Sequence, residues 1–78
     1  MADLNEAFGA VLAKYRRGAK LSQEALAFEC ELHPTYISQM ERGLKSPTLR
    51  TFFLIAKALG VSPAKMVGDL DRLLRTSP

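Results

Sequence analysis

Between Ser22 and Gly43 the chain stops one helix, turns, and starts another within a few positions, which leaves few folds open. Ser22 is a good helix N-cap, with Gln23 and Glu24 suited to the first turn behind it. Leu26, Ala27 and Cys30 then form an apolar stripe. The helix breaks near Glu31-Leu32 and the chain restarts at His33-Pro34. Proline fits the first helical position because its missing N–H would have had no partner there. Ile37 and Met40 mark the inner face of the second helix, and Gly43 stops it. Two short helices joined by a turn of about three residues form an angled pair. The outer face of the second carries Thr35, Ser38, Gln39 and Arg42, a composition suited to base edges and phosphates.

Around this pair the chain reads as helix throughout. Leu4, Phe8, Val11, Leu12 and Tyr15 recur at helical spacing and predict a first helix over about 4–17, its buried face on those residues and its end at Gly18. The motif helices are expected over about 23–29 and 34–42. Gly43-Leu44-Lys45-Ser46-Pro47 is a punctuated loop, followed by a helix over about 48–59 that Gly60 closes. Ser62 and Pro63 supply a cap and a first-turn proline for a fifth helix over about 63–74. Nothing alternates with the period of a strand. The expectation is an all-α chain of five helices, one domain over 1–78, near the lower size limit for a self-sufficient core.

Charge narrows the partners. A formal charge of +3 permits nucleic-acid binding without requiring it, so position matters more than the total. Lys14, Arg16, Arg17 and Lys20 cluster at the end of the first helix, as DNA contacts or as ordinary solvated surface. Arg42, Lys45 and Arg50 flank the second motif helix. One cysteine excludes an intrachain disulfide and suits a reducing cytoplasm. No basic-then-apolar leader opens the chain, and the longest purely apolar run, Phe52 to Ala56, is far too short for a bilayer, so no membrane role is expected. Enzymatic and metal chemistry find no support. His33 has no second ligand at metal spacing, Cys30 falls on the inward stripe, and no acid–base pair stands out, so no cofactor and no metal are expected.

The stretch resembles the helix-turn-helix of the phage-repressor-like, or XRE, family of bacterial and phage transcriptional regulators. Leu26, Ala27, Leu32, Ile37 and Met40 carry the likeness within the motif. Tyr15-Arg16-Arg17, the Ser-Pro-Thr-Leu run at 46–49 and the Ile-Ala-Lys-Ala-Leu-Gly-Val-Ser-Pro run at 55–63 extend it over residues 4–68. Glu31 departs from the pattern where glycine is common in the turn, and Lys20 where glycine usually precedes the leucine before the second helix. A left-handed Glu31 would cost on the order of 1 kcal/mol. The resemblance implies a compact five-helix lambda-repressor-like DNA-binding domain. It also implies that Pro34, Thr35, Ser38 and Gln39 face base edges, with Gln39 suited to adenine and the Thr35 methyl to thymine. Gln23, Tyr36, Arg42 and Lys45 would hold the sugar–phosphate backbone. Arg16 would pair with Glu41 and tie the first helix to the third.

The fourth and fifth helices hold more apolar residues than one inward stripe needs. Phe52, Phe53, Met66, Leu70 and Leu73 are therefore assigned to the interface of a homodimer. The combined expectation is a sequence-specific transcriptional regulator that binds a palindromic operator in double-stranded DNA as a homodimer. It would be cytoplasmic and nucleoid-associated in a bacterium or phage, and would block RNA polymerase or touch it. Its stand-alone length is similar to that of restriction–modification controller proteins. A phage-type repressor, an antitoxin of a toxin–antitoxin operon, and a protein-interaction module using the fourth and fifth helices are the alternatives.

Overall fold

The computed structural model describes residues 3–76, and among these no strand occurs. Five helices follow one another: α1 (Leu4–Gly18), α2 (Gln23–Cys30), α3 (Pro34–Glu41), α4 (Leu49–Leu59) and α5 (Pro63–Thr76). Side chains cap their starts. The carboxylate of Asp3 accepts from the Glu6 N–H, the Ser22 hydroxyl from Ala25, and the Thr48 hydroxyl from Thr51. At α3 the cap is His33, whose Nδ1 accepts from the Thr35 N–H at 3.1 Å. Each satisfies an amide that the first helical turn leaves open.

The helix ends repeat one device. A residue in left-handed conformation follows each of α1 to α4: Lys20 (φ 60°), Glu31 (φ 56°), Gly43 (φ 77°) and Gly60 (φ 71°). The next residue then bonds back across five positions: Leu21 to Arg16, Leu32 to Ala27, Leu44 to Gln39 and Val61 to Ala56. This is the Schellman arrangement, which occupies carbonyls the helix cannot and turns the following side chain toward the body of the protein. Leu21, Leu32 and Val61 accordingly pack against the core, whereas Leu44 stays exposed. Gly18, expected to stop the first helix, is the last residue of α1, with Ala19 as the C-cap and the left-handed turn following at Lys20. The other bounds shift by one or two residues: α2 runs on to Cys30, α3 ends at Glu41, α4 begins at Leu49 and α5 continues to Thr76.

The core joins all five helices through Phe8, Leu12, Leu26, Ile37, Ile55 and Met66, with Ala27 and Cys30 sealing α2 against its neighbours. Leu4, expected in it, is exposed. α1 packs against α3 and α5, α2 against α3 and α4, and the chain bends by 108° between α4 and α5. A cluster around Asp69 fastens α5 to α1: its carboxylate accepts from the Tyr15 hydroxyl and pairs with Lys14 at 3.7 Å and Arg72 at 2.5 Å. The hydrogen bond to Asp69 raises the Tyr15 pKa, and the same bond lowers that of Asp69. No single helix among the described residues is long and apolar enough to cross a membrane.

Candidate nucleic-acid interface

The geometry of α3 starts with what holds it in place. Its inner residues Ile37 and Met40 are wholly buried, and α1 comes against its end so closely that only glycine fits. A Cβ on Gly9 would stand 2.5 Å from the Met40 carbonyl oxygen and 2.6 Å from that of Glu41. With the inner face so fixed, Thr35 is left exposed and Pro34, Ser38 and Gln39 half-exposed. Pro34, Thr35 and Ser38 meet Ser22, Gln23 and Glu24 from the start of α2 along one shallow groove. The two helix N-termini thus open onto a common surface.

Beneath that surface lies a largely buried polar network. Arg16 grips Glu41 with two parallel bonds, Nε to Oε2 at 2.5 Å and Nη2 to Oε1 at 3.0 Å. Its third donor, Nη1, reaches the Leu21 carbonyl at 2.9 Å. Gln23 Nε2 donates to Glu41 Oε1 at 3.1 Å. Burial alone would push the Glu41 carboxyl up, but the hydrogen bonds from Arg16 and Gln23 and the charges of Arg16 and Arg17 outweigh it and hold it down. The hydrogen bond to Glu41 in turn raises the Arg16 pKa.

Other residues assigned to a site fall in different places. Arg42 caps the end of α3 and is exposed, as is Lys45 in the loop beyond it. Tyr36 is half-buried and its hydroxyl donates to the Ser46 carbonyl at 3.1 Å, which braces the α3–α4 loop. Of the basic residues near the end of α1, Arg16 is spent on Glu41 and Lys14 on Asp69 and the Tyr15 ring, while Arg17 and Lys20 stay exposed. Cys30 is buried, its Sγ 3.8 Å from the Leu54 carbonyl, and burial pushes its thiol pKa up, with Glu29 adding to the effect. Among the described residues no group of acids, cysteines and histidines could hold a metal ion.

The residues assigned to a dimer interface divide. Phe52 and Met66, 8% and 1% exposed, belong to the core of the single chain and present no surface to a partner. They fill the angle between α4 and α5, and Phe52 meets Phe8 edge to face. Phe53 and Leu73 are exposed and Leu70 is half-buried. Leu49 and Val67, at 74% and 49%, are exposed apolar residues absent from that assignment. Phe28, 83% exposed on α2, was not signalled either.

Comparison with known proteins agrees with this architecture. A family model described as Helix-turn-helix matches residues 12–66. Control protein C.BamHI of Bacillus amyloliquefaciens is 51% identical over 49 residues, which are 63% of this chain and 60% of that protein. The restriction–modification controller protein C.AhdI from Aeromonas hydrophila superposes with a TM-score of 0.77 at 34% identity, covering 80% of this chain and 94% of that one. The clp gene regulator ClgR from Corynebacterium glutamicum superposes with a TM-score of 0.90 at 28% identity, covering 95% of this chain and 79% of that one. The matched family segment takes in α2, α3 and α4 entire, with the turn, the buried pair Ile37 and Met40 and the polar outer face of α3, and the chain belongs to the helix-turn-helix family.

Proposed function

We propose that this protein regulates transcription by binding an operator in double-stranded DNA as a homodimer, in the manner of a restriction–modification controller protein. The observation that carries the reading is the shared surface of the α2 and α3 N-termini, with Pro34, Thr35 and Ser38 beside Gln23. Pro34, Thr35, Ser38 and Gln39 face base edges in the major groove, and Gln23, Tyr36, Arg42 and Lys45 face the backbone. Tyr36 does so through its ring edge, since its hydroxyl is occupied by Ser46. Pro34 offers apolar contact only, which leaves discrimination chiefly to Thr35, Ser38 and Gln39. Two such surfaces, related by a two-fold axis, address half-sites about one helical turn, roughly 34 Å, apart. The relatives named control or controller proteins support the choice of regulated system.

Selection of bound fragments from a random duplex pool tests this directly. A palindromic site is expected to emerge, and Gln39→Ala should flatten preference at one symmetric pair of positions by roughly 1–3 kcal/mol. Gln23→Ala should weaken all sequences evenly at fixed salt. A pool that yields no enriched sequence would remove the proposal. Contact with RNA polymerase is a further part of the reading, favoured by the exposed Phe28 ring one turn beyond Glu24. Phe28→Ala should then spare operator binding and reduce activation in a purified transcription assay.

A further inference from the structure

We infer that Glu41 is a positioning residue for DNA-backbone binding, acting through the carboxamide of Gln23; the inference rests on the reading of Gln23 as a phosphate contact. Gln23 is the first residue of α2, where amides without a helical partner accumulate. Its Nε2 carries two protons. One goes to Glu41 Oε1, which leaves the other as a single donor beside the helix N-terminus. Glu41 cannot wander, because Arg16 holds both of its oxygens. Arg16 in turn is anchored to the Leu21 carbonyl, immediately before the Ser22 cap. The contacts therefore form a ring: turn to Arg16, Arg16 to Glu41, Glu41 to Gln23, and Gln23 back to the turn.

Two consequences follow for binding. A free glutamine side chain must have its torsions frozen when it meets a phosphate, whereas here folding has already ordered it. A carboxylate near a phosphate would also repel it, and Arg16 neutralises that charge in place. Glu41 thus serves the DNA surface while touching no DNA. A merely structural Arg16–Glu41 pair would stabilise the fold without any dependence on residue 23.

The test is a cycle of affinities for a mixed-sequence duplex of about two helical turns at fixed low salt. It compares the parent, Gln23→Ala, Arg16→Met with Glu41→Met, and the combination of all three, each shown to be folded by circular dichroism at the assay temperature. Replacing both partners by methionine avoids a stranded buried charge. The paired methionine variant is expected to bind roughly three- to tenfold more weakly, the worth of one hydrogen bond. Gln23→Ala should lose a similar factor, and the triple variant should be no weaker than Gln23→Ala. Losses that multiply in the triple variant, or a paired variant that binds as the parent does, would overturn the inference while leaving the phosphate contact standing. If Gln23→Ala costs nothing, the phosphate reading itself is lost and the inference with it. Should the paired variant not fold, the side-chain ¹⁵N relaxation of Gln23 in the free parent decides. Order matching the α2 backbone supports positioning, and free averaging refutes it.

Discussion

At Gly9 α1 lies close against the backbone at the end of α3, and the lack of a side chain there sets how deeply α3 can seat. Both nearby carbonyl oxygens are backbone, so a methyl group there cannot be accommodated by a rotamer change. Gly9→Ala is expected to lower stability by about 1–3 kcal/mol, despite the better helix propensity of alanine. Gly68, with open space around its Cβ position, should gain up to about 1 kcal/mol from the same change. Urea denaturation of the two variants checks the contrast. The Arg16–Glu41 pair makes a second prediction, in acid. The folded state depresses the Glu41 pKa, so its contribution is present above the ordinary glutamate value of about 4.3 and is lost as pH falls through the lower folded value. Asp69 shifts in the same direction, so the measurement is a difference: melting temperature should fall less steeply from pH 5 to 3 in Glu41→Gln than in the parent. Gly9 was not legible in the sequence, because a glycine inside a helical pattern looks only like a weak position until the crossing helix is known. Arg16 and Glu41 lie 25 positions apart, beyond the reach of helical spacing, and only family resemblance joined them.

At the scale of elements, starts proved more legible than stops. Ser22 and Ser62 announce helices through a local bond to the next turn, which depends on few residues. A stop depends on where the chain must turn back toward the core, and so Lys20, not Gly18, takes the left-handed conformation. Lys20 and Glu31 are the two non-glycine residues with positive φ among those described, at the two positions where glycine is more usual in the resembling family. Lys20→Gly and Glu31→Gly should each raise stability by up to about 1 kcal/mol, offset in part by the looser unfolded chain. The gains should be close to additive in thermal melts if the two turns act independently. The inward side of α4 was also hard to read. Leu49, Phe53 and Leu54 are apolar on its outer face, so composition alone cannot tell them from the buried Phe52, Ile55 and Leu59.

For the whole molecule, that outer face is the surface we propose for contact with a second copy. Leu49 and Phe53 on α4 and Val67 on α5 leave apolar surface uncovered by the single chain. Leu49→Lys combined with Val67→Lys is expected to shift sedimentation toward the monomer and to weaken operator binding, with melting of the dilute chain little changed. Phe52→Ala should instead unfold the chain more easily, by about 3 kcal/mol, because it opens a cavity in the core. The opposite pattern would return Phe52 to the interface. The same solid core has a practical consequence through its one thiol. Cys30 is the chain's one cysteine, sealed between α2 and α4. A thiol reagent can reach it only when those helices part, so the rate of labelling follows the population of opened molecules. Whatever ties the fold shut, a second copy or bound DNA, should lower the rate of labelling in proportion to its occupancy. The protein therefore carries a built-in chemical clock for its own association.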